Sequence, residues 1–143
     1  MGFGLPAAIG ASFAVGRKPV VCISGDGSFL MNMQELETCS RYDVPVKVFL
    51  LDNGALGMVR QWQEMFAGEK YSSTITGKTC DFCSVAEACG VKSFKLDCAE
   101  KLDGVLDGVM EEPGPVLVDC TIPTYEKVLP MVPPGKGLDE FIL

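Results

Sequence analysis

Histidine is absent from the 143 residues. That removes Ser–His and Cys–His nucleophilic machinery and histidine-ligated metals together, since each needs an imidazole. Basic residues are sparse: 12 Lys+Arg stand against 19 Asp+Glu, a formal net charge of −7. The densest basic patch is only Arg17-Lys18. A chain of this sign repels phosphate backbones unless it carries a basic stripe, so nucleic acid is not an expected partner. No apolar run reaches the roughly 18 residues of a membrane-spanning helix. The apolar start, Met1 to Gly10, has no basic segment before it and reads poorly as a signal peptide. Pro6 stands where an N-myristoylation motif wants Ser or Thr. A second Cys-x-x-Cys is also missing, so Cys80 and Cys83 do not make a zinc ribbon.

What remains is 48% hydrophobic and 22% charged. That balance excludes disorder, and the length suits one domain with a proper core. The seven cysteines are odd in number and scattered, which does not read as a disulfide framework. They are read as reduced thiols in a cytoplasmic setting, with a redox or metal role for Cys80 and Cys83 as the alternative.

Short apolar runs alternate with helical patterns. Pro19 to Ser24, Val46 to Leu51, Ser93 to Leu96 and Val116 to Cys120 read as strands. The stronger ones are β-branched and nearly continuous, which suits strands covered on both faces. Helices are expected over Leu5 to Val15, Phe29 to Ser40, Leu56 to Phe66, Cys83 to Ala88 and Ala99 to Glu111. Gly104 and Gly108 weaken the last of these. Pro113-Gly114-Pro115 breaks the chain before the final strand. The alternation predicts an α/β fold: a parallel sheet with helices on both faces and right-handed crossovers. Residues 130–143, with Pro133-Pro134-Gly135, read as an extended C-terminal arm.

In such sheets ligands sit at the carboxyl ends of strands. Two loops stand there: Ser24-Gly25-Asp26-Gly27-Ser28 and Asp52-Asn53-Gly54-Ala55-Leu56-Gly57. Their glycines let the backbone approach a ligand, and the helix that follows favours an anion. Neither loop has a lysine, so neither is a Walker A site. Asp26 would repel a diphosphate. A divalent cation held by Asp26, the Asn53 amide oxygen and a main-chain carbonyl resolves the conflict. An all-oxygen donor set suits Mg²⁺. Gly2-Phe3-Gly4-Leu5-Pro6-Ala7 matches a loose dinucleotide pattern but has no strand before it.

A Gly-Asp-Gly followed about 25 residues later by Asn resembles the thiamine-diphosphate enzymes. Asp52 stands where that family has the first Asn of a pair, and Asn53 keeps the second. Met1 to Ala11, Gly57-Met58-Val59-Arg60-Gln61-Trp62-Gln63 and Met131-Val132-Pro133-Pro134-Gly135 resemble the large subunits of acetolactate synthase. The resemblance implies the diphosphate-binding domain of that fold, over 1–143. It implies Mg²⁺ on Asp26, Asn53 and the Ala55 carbonyl, and diphosphate against Gly27, Ser28, Gly54, Leu56 and Gly57. Met1 would hold the cofactor bent, Met58 would pack near its rings, and Trp62 would line the pocket and favour 2-ketobutyrate. The implied chemistry is condensation of pyruvate, after loss of carbon dioxide, with a second 2-keto acid, toward branched-chain amino acids.

No catalytic side chain is expected in the chain, because the family's activating glutamate belongs to a pyrimidine-binding domain. That domain and the FAD-binding middle domain are expected to lie outside these residues, and the chain alone is expected to be inactive. Glu35 and Glu37 are not that glutamate. A homodimer or homotetramer and a regulatory small subunit are the implied partners. The alternatives are another thiamine-diphosphate enzyme (pyruvate oxidase, glyoxylate carboligase or a 2-keto acid decarboxylase) and a non-catalytic module that retains the fold.

Overall fold

The computed structural model describes residues 1–77 and 80–143. Its elements in chain order are α1 (Gly4–Ala14), β1 (Val20–Gly25), α2 (Asp26–Phe29), α3 (Glu35–Arg41), β2 (Val46–Asp52), α4 (Gly57–Phe66), α5 (Phe82–Ala88), β3 (Lys92–Leu96), α6 (Leu102–Glu111) and β4 (Val116–Thr121). The strands lie in the order β1-β2-β4-β3, and every pairing is parallel. Parallel neighbours need long crossovers, and the intervening helices provide them.

Alternation along the strands sorts side chains onto two faces. Val46, Val48 and Leu50 of β2 join Leu117 of β4 beneath α1, α2, α3 and α5, which contribute Leu5, Ile9, Phe29, Leu36 and Phe82. On the other face Val116, Val118 and Cys120 pack against Val105 and Val109 of α6. Lys47 is buried on that second face, and its Nζ donates to the carbonyls of Glu112 at 2.5 Å and Gly114 at 2.6 Å. An ammonium thus satisfies two carbonyls where α6 ends. The cover is incomplete. Val21 and Ile23 of β1 share the α6 face by register but are 61% and 69% exposed.

All four strands fall where the apolar runs predict them. Two helices differ. The helix expected over Phe29 to Ser40 is two short ones, α2 and α3, separated by turns. Asn32 is the reason: its Nδ2 donates to the Gly2 carbonyl at 2.5 Å, a tertiary bond that holds the linking turn to the N-terminal segment. The helix expected from Ala99 begins as a 3₁₀ turn, Ala99–Lys101, before α6. The C-terminal arm makes one antiparallel bridge, Met131 with Ile142.

Candidate functional site

A cavity of about 370 Å³ opens at the carboxyl ends of β1 and β2. Its walls include Met1, Asp26, Gly27, Ser28, Asn53, Ala55, Leu56, Gly57 and Met58. Of the ten cofactor-contact residues named from the sequence, only Gly54 is outside that lining, and its N–H donates to Asp26 Oδ2 at 3.1 Å. Two loops 28 positions apart are therefore tied at the carboxylate itself.

The first loop is tighter than expected. Gly25 ends β1 with extended backbone, and Asp26 is already the first residue of α2. Asp26 is 1% exposed. Burial, foremost, raises its pKa above the ordinary 3.8; the Asp52 charge adds to this, while backbone hydrogen bonds from Gly27 and Gly54 oppose it. No ion pair to Asp26 occurs among the described residues, so its charge calls for a cation.

The second loop needs a left-handed residue. Gly54 has φ +62°, and a Cβ there would stand 3.2 Å from the Gly77 carbonyl oxygen. The segment 74–77 buttresses this loop: Thr76 and Gly77 N–H groups both donate to the Gly54 carbonyl at 2.9 Å, and Leu56 N–H donates to Thr74 O at 2.8 Å. Asn53 Oδ1 accepts from Ala55 N–H at 3.0 Å, which fixes the amide at the mouth of α4. The first amides of α4, a helix of ten residues, have no intrahelical acceptors and are suited to an anion.

Gly2 positions Met1. Its N–H donates to Ser28 Oγ at 2.9 Å, its carbonyl takes Asn32, and its φ is +77°. A Cβ at Gly2 would meet Asn32 Nδ2 at 2.8 Å. Only glycine lets the N-terminal segment lie this close to α2.

The last wall comes from beyond β4: Ile122, Glu126, Lys127 and Val128. Arg60 and Gln61 of α4, both essentially unexposed, hold this stretch. Gln61 exchanges two hydrogen bonds with the Val128 backbone, at 2.8 and 3.1 Å. Arg60 pairs with Glu64 at 2.6 Å, donates to the Glu126 carbonyl at 3.1 Å and lies 5.2 Å from the Tyr125 ring centroid. Lys127 closes on Glu64 as well. From the sequence, Met58 and Trp62 were expected at the site, whereas Arg60 and Gln61 were quoted only as part of the Gly57-to-Gln63 run. Trp62 itself is 44% exposed, edge-on to Phe66 at 5.6 Å, and does not line the cavity.

The thiamine pyrophosphate enzyme, C-terminal TPP binding domain family matches residues 1–120. The chain belongs to that family. Thiamine pyrophosphate is thiamine diphosphate, so the cofactor class agrees with the two loops. The chain is 48% identical over 143 residues to the acetolactate synthase large subunit of Pyropia yezoensis, covering 99% of this chain and 24% of that protein. It is 46% identical over 142 residues to the acetolactate synthase isozyme 2 large subunit of Escherichia coli (strain K12), covering 99% and 26%. A solved structure, the Rhodococcus jostii RHA1 thiamine diphosphate-dependent 4-hydroxybenzoylformate decarboxylase, superposes with a TM-score of 0.79 at 28% identity, over 86% of this chain and 23% of that one. The chain thus spans about a quarter of the length of the relatives it matches. No described helix is long and apolar enough to cross a membrane.

Proposed function

We propose that the chain is the single diphosphate-binding domain (1–143, with 130–143 as its arm) of an acetolactate synthase large subunit, holding Mg²⁺ and thiamine diphosphate. The convergence of Asp26, Asn53 and Ala55 on one cavity carries this reading. Asp26, the Asn53 amide oxygen and the Ala55 carbonyl are hard oxygen donors fit for Mg²⁺. The buried, unpaired carboxylate of Asp26 fits that ion, and the open amides of α4 fit a diphosphate. Once bound, the cofactor supplies the carbanion chemistry that lets a 2-keto acid lose carbon dioxide and condense with a second one.

The chain's own residues bind and orient. Gly27, Ser28, Gly54, Leu56 and Gly57 receive the diphosphate, Met1 and Met58 press on the cofactor's body, and the Gln61-latched segment excludes water from one side. Trp62 is the proposed substrate contact that favours 2-ketobutyrate beside pyruvate. FAD, a homodimeric or homotetrameric assembly, a regulatory small subunit and a cytoplasmic site belong to the same proposal for the whole enzyme. Identities of 46–48% to acetolactate synthase large subunits favour it over pyruvate oxidase, glyoxylate carboligase or a 2-keto acid decarboxylase.

The test is thermal unfolding of the chain with Mg²⁺, with thiamine diphosphate, and with both. Stabilisation by the pair alone, lost in Asp26→Ala, is the expected result. Equal stabilisation of the variant would defeat the metal assignment. Acetolactate formation is expected only when pyrimidine-binding and middle domains are joined to the chain; turnover by the chain alone would overturn that part.

A further inference from the structure

The Cys80-Asp81-Phe82-Cys83 segment takes no part in the cofactor cavity. It borders a second cavity of about 270 Å³, whose other walls are Asp52, Lys95 and Asp119. Among the described residues no set of three acidic or sulfur side chains gathers to hold a metal ion. The geometry suits thiol chemistry instead. Phe82 is 1% exposed and meets Phe29 edge-on at 5.9 Å, and Asp81 Oδ1 accepts the Ser84 N–H at 3.1 Å. The start of α5 is thereby fixed, with one thiol on each side of it and both on the same accessible cavity. By contrast Cys22 and Cys39 are sealed in the core, and Cys120 is buried on the α6 face.

The pair also reaches toward the candidate cofactor site through Phe82. Phe82 rests on Phe29 of α2, the helix that begins at Asp26.

We propose that Cys80 and Cys83 form an oxidisable dithiol, which closes to an intrachain disulfide across the start of α5 and stiffens the seat of Phe82 on α2. A low-molecular-weight disulfide is the oxidant. One protein thiolate attacks it, forming a mixed disulfide and expelling one small thiolate. The second protein thiolate then attacks the protein sulfur of that mixed disulfide and expels the other. The protein loses two electrons and two protons; the oxidant ends as two thiols. Burial, above all, holds the Cys83 thiol above its ordinary range; the Asp119 and Asp81 charges add to this, against a hydrogen bond from Ser93 and the Lys95 charge. Asp52 is the remaining charged group on the cavity. Exchange is therefore slow near neutrality and faster as pH rises. Such transient pairs are the kind a reducing compartment permits.

The test equilibrates the chain with mixtures of reduced and oxidised glutathione, then alkylates it and maps the peptides by mass. The expected product has lost two hydrogens, links Cys80 to Cys83, and reopens with dithiothreitol. In that form the Ser84 and Val85 amides, both bonded to Asp81 at 3.1 Å, exchange at least about threefold more slowly than in the reduced form. Cys83→Ser is expected to stop at a glutathione adduct on Cys80, with no slowing. The proposal falls if both thiols stay alkylatable at every ratio, if a different pair is linked, or if the bond forms and those amides do not respond.

Discussion

Replacing Arg60 by alanine tests how the cavity's last wall is held. The guanidinium is wholly buried, with Nη1 on Glu64 at 2.6 Å, Nη2 on the Glu126 carbonyl at 3.1 Å and the Tyr125 ring beneath it. Losing a charge-assisted hydrogen bond costs about 2 kcal/mol, the carbonyl bond about 1 more, and the ring contact about 1. Lost packing of the stem adds to that. Two features offset it. Glu64 keeps Lys127 as a partner, so no carboxylate is stranded. Among the described residues the Nε of Arg60 is buried without a partner, and its removal relieves that cost. The net expectation is a loss of about 3 kcal/mol, or about 10 °C in Tm for a chain of this size. Urea denaturation measures the first and calorimetry the second. Limited proteolysis should show new cleavage within 124–130 before the rest of the chain is cut. Glu64→Gln, a change at a partly exposed group, should cost clearly less than Arg60→Ala. A loss below about 1 kcal/mol for Arg60→Ala with the 124–130 stretch still protected would refute this account of the latch.

Asp26→Asn should raise the stability of the cofactor-free chain at pH 7, measured by urea denaturation, and abolish stabilisation by Mg²⁺ with thiamine diphosphate. The sign follows from burial: a carboxylate whose folded pKa is raised contributes stability below its ordinary 3.8, and that contribution is lost as pH rises through the folded value. A less stable variant would count against it. Gly54→Ala should cost about 2 kcal/mol in the same assay, from a positive φ and a Cβ pressed on the Gly77 carbonyl. In timed alkylation at pH 8, exposed Cys98 should react early. Cys39, buried and pushed up to about 12 mainly by desolvation, should react last. The reverse order would show that the core opens locally.

Three strands were legible as nearly continuous apolar runs, such as Val46 to Leu51 interrupted only by Lys47, and β3 only as the weaker Ser93 to Leu96. The two loops of the candidate site were legible because glycines flank Asp26 and follow Asn53 at strand ends, a local pattern. What escaped notice is non-local. Asn32 interrupts an otherwise periodic helix through a bond to Gly2, 30 positions away. Arg60 and Gln61 look like solvent-facing helix residues, and only the return of residues 126–128 against them makes them core. The one available signal was a charged and a neutral polar residue inside the quoted Gly57-to-Gln63 stretch, with no counter-charge nearby except Glu64. The buttress of Thr74 to Gly77 on the Gly54 loop has no periodicity to announce it.

The partial cover over the sheet has a consequence for handling the molecule. β1 ends the strand order and carries no lysine, proline or bulge among Val20 to Gly25 to discourage another strand from adding to it. Beside that open edge, Val21 and Ile23 present bare aliphatic surface. A preparation of this chain alone is therefore prone to self-association that grows with concentration, and a lysine at Ile23 should improve its solubility more than any change at the cofactor loops.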